Sequence, residues 1–172
     1  SAEVLEAVGA GSGIRRARVS PYESMGVWDE DAMPDSSTSL RFDASEFAVA
    51  QLGFISENVL LQHALLQVLD ECRVELQFAS KIESLPEADL LIATDGARSF
   101  VRELGGIKSR QWPYQQTAVV THLTTQRPHK ATARQRFLRD GPLGMLPLAD
   151  GRISVVWSTT PDIAQRAVAA SD

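Results

Sequence analysis

Residues 133–157 read Ala133-Arg134-Gln135-Arg136-Phe137-Leu138, Arg139-Asp140-Gly141-Pro142, Leu143-Gly144-Met145-Leu146-Pro147-Leu148, Ala149-Asp150-Gly151-Arg152 and Ile153-Ser154-Val155-Val156-Trp157. Gly with Pro or Asp breaks this run twice, which predicts strands at Ala133–Leu138, Leu143–Leu148 and Ile153–Trp157 joined by tight turns. Thr117–Leu123 adds a fourth β-rich segment upstream. Four successive strands make an antiparallel or mixed sheet the expected framework, and the helical patterns around it place the chain in the α+β class.

Helical spacing of Leu61, Leu65, Val68, Leu69 and Cys72 predicts a helix starting at Asn58. Thr160-Pro161-Asp162 supplies a cap residue, a first-turn proline and a first-turn acid for a last helix over Ile163–Ala170. Tyr22–Trp28 and Ser39–Phe42 are expected to pair as a hairpin across the acidic stretch Asp29–Ser37. Val74–Phe78 alternates like a strand, and Leu90–Ala93 reads as a short buried parallel strand. Ala2–Val8 reads as a helix end stopped by Gly9-Ala10-Gly11-Ser12-Gly13. That glycine run is not a dinucleotide loop, because Ile14 stands where the third glycine belongs and a helix precedes it.

At 172 residues and 18.8 kDa the chain is expected to fold to ~8,300 Å² of surface, with about 70% of its unfolded surface buried in one domain. Apolar residues make up 44% and charged residues 23%, which excludes collagen-like and wholly disordered classes. The longest apolar-rich run, Val59–Leu69, is too short and too polar to span a bilayer. One cysteine, Cys72, excludes an internal disulfide framework and a cysteine zinc cage, and a reducing cytoplasm is expected. The chain begins Ser1-Ala2-Glu3 without Met or a signal-like segment, so a processed, excised or incomplete chain is expected.

The net charge of −5 conceals an asymmetry: residues 1–97 carry 17 acids against 6 bases, and residues 98–172 carry 5 against 11. The basic half fits an anionic ligand, or simply neutralises the acidic half. An acidic chain without a helix-turn-helix, finger or RNA-reading motif is not expected to bind nucleic acid.

The stretch Ala88-Asp89-Leu90-Leu91-Ile92-Ala93-Thr94-Asp95-Gly96-Ala97-Arg98-Ser99-Phe100-Val101-Arg102 carries the chemistry. It reads as a strand ending in a carboxylate, a glycine that admits close approach, and a helix with Arg98 and Arg102 one turn apart. Free amides, the helix dipole and two guanidiniums would favour a diphosphate, while Asp95 would accept bonds from polyol hydroxyls. The same residues also read as a turn in which Asp-Gly merely caps a helix. None of His63, His122 and His129 comes with an acid partner, so no catalytic residue and no metal ligand is nominated.

This string resembles the Asp-Gly motif of the flavoprotein aromatic hydroxylases, strand–Asp-Gly–x–x–Ser–x–x–Arg. Downstream, Trp112-Pro113-Tyr114-Gln115-Gln116-Thr117-Ala118, Pro128-His129, Ala133–Leu138, Gly141-Pro142-Leu143, Leu146-Pro147-Leu148 and Val156-Trp157-Ser158 are similar to the ubiquinone-biosynthesis (2-polyprenylphenol) hydroxylases, as is Leu52–Asn58 upstream. The resemblance covers most of the chain and implies a middle piece of a two-domain FAD-dependent hydroxylase. The N-terminal Gly-rich FAD turn and the later Gly-Asp segment are absent, the stretch between Ile82 and Ala88 is shorter, and Arg134 replaces a common aromatic.

The resemblance implies that FAD contacts Asp95, Gly96, Arg98, Ser99 and Arg102, and that Gln116, Phe137, Leu148 and Trp157 line the substrate wall. It further implies a polyprenylated phenol and O2 as substrates, a flavin hydroperoxide as oxygen donor, and NAD(P)H or another electron donor as reductant. Contacts with other ubiquinone-pathway proteins and with the inner membrane surface are part of the same expectation. The chain is expected to divide into residues 1–97, a partial FAD-binding region ending in the Asp-Gly strand, and residues 98–172, the following helix, the sheet and the last helix, packed as one compact unit. A non-catalytic binding or assembly module, or an α+β domain that takes another anion through Arg98 and Arg102, stays open beside this reading.

Overall fold

The computed structural model describes residues 2–170. The order is α1 (Ala2–Ala7), α2 (Gly11–Arg16), β1 (Val19–Tyr22), β2 (Ser24–Asp29), β3 (Leu40–Asp43), a 3-10 turn at Ala44–Phe47, β4 (Gly53–Ser56), α3 (Asn58–Glu71), α4 (Phe100–Leu104), β5 (Thr117–Leu123), β6 (Thr132–Leu138), β7 (Gly141–Pro147), β8 (Ile153–Thr159) and α5 (Pro161–Ala169). Two compact units emerge: residues 1–73 with 115–172, and residues 74–114. In this division the Asp-Gly turn and the helix after it fall in one unit.

In the larger unit the six-stranded sheet runs β3-β2-β6-β7-β8-β5. The tight turns at 139–140 and 148–152 force β6, β7 and β8 into a meander, as read from the sequence. Two features of the sheet are not local. β5 pairs antiparallel with β8 in the register Thr117↔Thr159 to Leu123↔Ile153. β2 joins the free edge of β6 in parallel, Ser24↔Thr132 to Asp29↔Phe137, which makes the sheet mixed, within the antiparallel or mixed framework expected. The expected hairpin is present, with Ser24↔Asp43 to Val27↔Leu40.

A separate two-stranded sheet pairs β1 with β4, Val19↔Ser56 to Tyr22↔Gly53. The glycine run expected only to stop a helix makes a turn at Gly9 (φ +85°) and then enters α2. Ala10, Ile14 and Ala64 form a small buried core between α2 and α3, with Leu5, Val19, Phe54, Leu61 and Val68 packed against it. The Leu61–Ala64–Val68 spacing is the face of α3 that meets Ile14, whereas Leu65 and Leu66 are exposed.

The smaller unit departs most from expectation. Neither Val74–Phe78 nor Leu90–Ala93 forms a strand, and α4 starts at Phe100, so the helix expected to carry both Arg98 and Arg102 carries only Arg102. A strand needs a neighbour to take its amides and carbonyls, and these residues find none among the described residues. Leu90 and Ile92 are 75% and 73% exposed. Surface area tells the same story: the chain exposes 13462 Å², well above the ~8,300 Å² expected, so only about half of the unfolded surface is buried.

Ile14 is 1% exposed at the centre of the α2–α3 core. Ile14→Ala should lower unfolding stability by about 2–5 kcal/mol, read as a lower urea midpoint at unchanged slope.

Candidate functional site

In the smaller unit Gly96 turns the chain at φ +87°, and a Cβ built there would meet nothing within 4 Å. The glycine is required by the backbone angle, not by crowding. Ser99 is the N-cap of α4: its hydroxyl accepts from the Arg102 amide at 3.0 Å and donates to Asp95 Oδ1 at 2.5 Å. Asp95 Oδ2 accepts from the Val101 amide at 3.1 Å. Arg102 folds back so that Nη2 donates to the Ala97 carbonyl at 2.8 Å. Arg98 is exposed.

The structure brings Asp95, Gly96, Ser99 and Arg102 into one motif, but two of the amides expected to be free are spent, Val101's on Asp95 and Arg102's on Ser99. The Arg98 and Arg102 side chains remain as the motif's positive charge, and Asp95 keeps unshared lone pairs on its exposed edge. The Ser99 hydroxyl first, and the Val101 amide second, hold the Asp95 carboxyl below the usual carboxylate range.

In the larger unit, strand register settles which expected wall residues share a face. Phe137 pairs with Pro142, and Trp157 pairs with Leu143. Adjacent residues of β7 point to opposite faces, so Phe137 and Trp157 lie on opposite faces and cannot line one side of the sheet together. Phe137 is exposed, while the Trp157 Nε1 is buried without a partner among the described residues. Gln116 sits beside Gly141, the start of β7, where a Cβ would stand 3.2 Å from its Nε2 and 2.2 Å from the Ser158 carbonyl oxygen.

Leu148 lines a cavity of about 250 Å³ with Ser20, Ser56, His122, Asp150 and Ser154, among others. His122 and Ser154 face each other across the β5–β8 pairing, on the face that also bears Phe137. Ser56 Oγ is buried without a hydrogen-bond partner among the described residues. Arg18 pairs with Glu57 and Arg152 with Asp150, so both guanidiniums of the cavity are matched by a carboxylate. Arg152 lowers the Asp150 carboxyl and is itself raised by it. No sequence signal points to this cavity, because His122 meets Ser154 only once β5 is known to pair with β8 rather than β6.

His63 is exposed on α3. His129 has both ring nitrogens engaged, one with the Ala131 amide and one with the Leu148 carbonyl, each at 3.1 Å. It braces a turn in which Lys130 and Ala131 have φ of +52° and +47°, a left-handed backbone that costs non-glycine residues about 1–2 kcal/mol each.

A lowered carboxyl pKa stabilises the cap above the unfolded value of ~3.9, and that contribution is lost as pH falls through the lower folded value. The Val101 amide should therefore be protected from hydrogen exchange at neutral pH and lose protection below about pH 4. Asp95→Ala should expose it at every pH, read residue by residue by NMR.

No family model matches the chain. Among curated proteins it is 34% identical to the mitochondrial ubiquinone biosynthesis monooxygenase COQ6 of Xenopus tropicalis, over 98% of this chain and 41% of the relative. It is 29% identical to the 3-demethoxyubiquinol 3-hydroxylase of Escherichia coli K12, over 94% of this chain and 44% of the relative. The chain thus spans about two-fifths of the length of the curated relatives it matches. Among solved structures it resembles Pseudomonas aeruginosa PqsL, described as a probable FAD-dependent monooxygenase, with TM-score 0.75 and 19% identity over 95% of this chain and 50% of that one. Klebsiella pneumoniae HpxO complexed with FAD gives TM-score 0.67 and 17% identity over 93% and 46%. Those two likenesses show a shared fold. By sequence the chain is similar to the ubiquinone-biosynthesis monooxygenases over about two-fifths of their length.

Proposed function

We propose that this chain is part of a flavoprotein monooxygenase that hydroxylates the ring of a polyprenylated phenol in ubiquinone biosynthesis. The observation that carries the reading is the 34% identity to a ubiquinone biosynthesis monooxygenase across 98% of the chain. The donor set around Asp95 fits FAD: a carboxylate with free lone pairs for ribityl hydroxyls, and the guanidiniums of Arg98 and Arg102 for negative charge. When bound, FAD supplies the redox chemistry that activates O2.

The chain's own residues bind and orient. Ser99 and the Val101 amide fix the Asp95 carboxylate, and the absence of a side chain at Gly96 leaves room for close approach. Leu148, with Phe137 on the same face of the sheet as His122 and Ser154, supports a ring-binding wall, and Gln116 lies beside the start of β7. Trp157, on the opposite face, belongs to the packing behind that wall. Leu148 and Phe137 are the apolar members of that face and would help exclude water from the ring.

The reductant, NAD(P)H or another electron donor, belongs to this reading, as do contacts with other ubiquinone-pathway proteins. So does peripheral contact with a membrane: among the described residues no helix is long and apolar enough to cross one. The cytoplasmic placement expected from the sequence belongs here too, beside frog and fish relatives named as mitochondrial.

In a protein that carries this chain within the full length of its relatives, Asp95→Ala should weaken FAD binding roughly ten- to a hundredfold, measured by flavin fluorescence quenching. Unchanged affinity with a lowered melting temperature would assign Asp95 to capping alone. Phenols with two or three isoprene units should bind far better than tail-less ones, because apolar burial contributes ~25 cal/mol per Å². Equal affinities by titration calorimetry would remove the polyprenyl tail from recognition.

A further inference from the structure

His129 precedes two residues with left-handed backbone, and three separate parts of the larger unit meet at it. The Ala131 amide can only donate, so Nδ1 of His129 is the accepting nitrogen, at 3.1 Å. The Leu148 carbonyl can only accept, so Nε2 carries the proton and donates at 3.1 Å. These two partners leave the neutral ring with a single tautomer.

Each partner is itself a junction. The Leu148 carbonyl also accepts from the Gly151 amide at 3.1 Å, and the Leu148 amide donates to the Arg152 carbonyl at 2.9 Å, so this one peptide closes the β7–β8 turn. That turn brings Leu148, Ala149, Asp150 and Arg152 to the 250 Å³ cavity. On the other side, the Ala131 carbonyl accepts from the Glu23 amide at 2.8 Å, where β2 begins beside β6. The His129 carbonyl takes the Thr132 amide at 3.1 Å and Arg134 Nη1 at 3.3 Å. The backbone carbonyl and both ring nitrogens of His129 are thus committed inside the protein.

We propose that His129 is a positioning residue: its Nε2-protonated imidazole pins the β7–β8 turn, and with it the Leu148–Arg152 wall of the cavity, to the left-handed turn at Lys130–Ala131. It does not touch the ligand. The assignment of that cavity to a phenol ring rests on the function proposed above, but the pinning does not.

The two halves of the brace are separable by side-chain shape. Asn places an amide oxygen where Nδ1 sits and keeps the acceptor for Ala131. Gln places an amide nitrogen where Nε2 sits and keeps the donor for Leu148. In the unsubstituted protein, 15N spectra should show one pyridine-like and one pyrrole-like nitrogen for His129, with the proton on Nε2. His129→Asn should retain slow exchange at the Ala131 amide and lose it at Gly151. His129→Gln should do the reverse, and His129→Ala should lose both. Rapidly averaged nitrogens in the unsubstituted protein, or Asn and Gln variants that behave alike, would overturn the proposal even if His129→Ala fails to fold. In the full-length enzyme, the Gln variant should hold KM for the phenol within about twofold and the Asn variant should raise it more than kcat falls. An exchange pattern that splits as expected with KM unchanged in every variant would sustain the pinning and overturn the cavity's assignment to the phenol.

Discussion

The parallel seam between β2 and β6 is the contact on which the larger unit depends. It turns a hairpin and a meander, each stable only with a further neighbour, into one six-stranded sheet. Both ends of the seam are fastened by groups outside the ladder. At the start, the Ala131 carbonyl takes the Glu23 amide. At the far end, Arg136 Nη2 donates to the Glu30 carbonyl at 2.6 Å and the Arg139 amide donates to Glu30 Oε2 at 2.8 Å. A parallel pair has no hairpin turn to set its register, so fastening at both ends does what a turn does elsewhere.

In the Asp-Gly motif the capping bonds also fix where the carboxylate points. Asp95 and Ser99 are consumed in closing the first turn of α4, which has only five residues and needs such a cap to persist. The same bonds fix the carboxylate's direction and leave its outer edge exposed. A residue that caps and a residue that holds a ligand are therefore not alternatives here, because the cap sets the geometry in which a hydroxyl would be met.

Exposed apolar sequence is concentrated where the chain offers no neighbour. Leu90, Leu91 and Ile92 have the composition of a strand covered on both faces, yet they lie open. The sheet in the other unit shows a milder form of the same condition: β5 lies at its edge, with Val120 61% exposed and α5 covering part of it through the buried Ala164. The length matched in the relatives, about two-fifths, agrees with a chain whose apolar surfaces exceed what it can pair internally.

The sequence by itself determined what depends on near neighbours. Glycine, proline and aspartate punctuation located β6, β7 and β8 and their meander. Two extended segments flanking the acidic stretch Asp29–Ser37 located the β2–β3 hairpin, and the Thr160-Pro161-Asp162 start located α5. The motif strings from Asp95-Gly96 to Val156-Trp157 determined the relationship to the ubiquinone-biosynthesis hydroxylases. Only the tertiary structure decided that β5 pairs with β8, that β2 joins β6 in parallel, and that β1 pairs with β4. Those choices placed Phe137 and Trp157 on opposite faces and assembled the cavity from Ser56, His122 and Leu148. The reason is physical: turns and periodicity are fixed by a few consecutive residues, whereas a strand's partner is whichever free edge the rest of the chain leaves it. Leu90–Ala93 makes the same point in reverse, since strand composition without an available edge leaves an open segment.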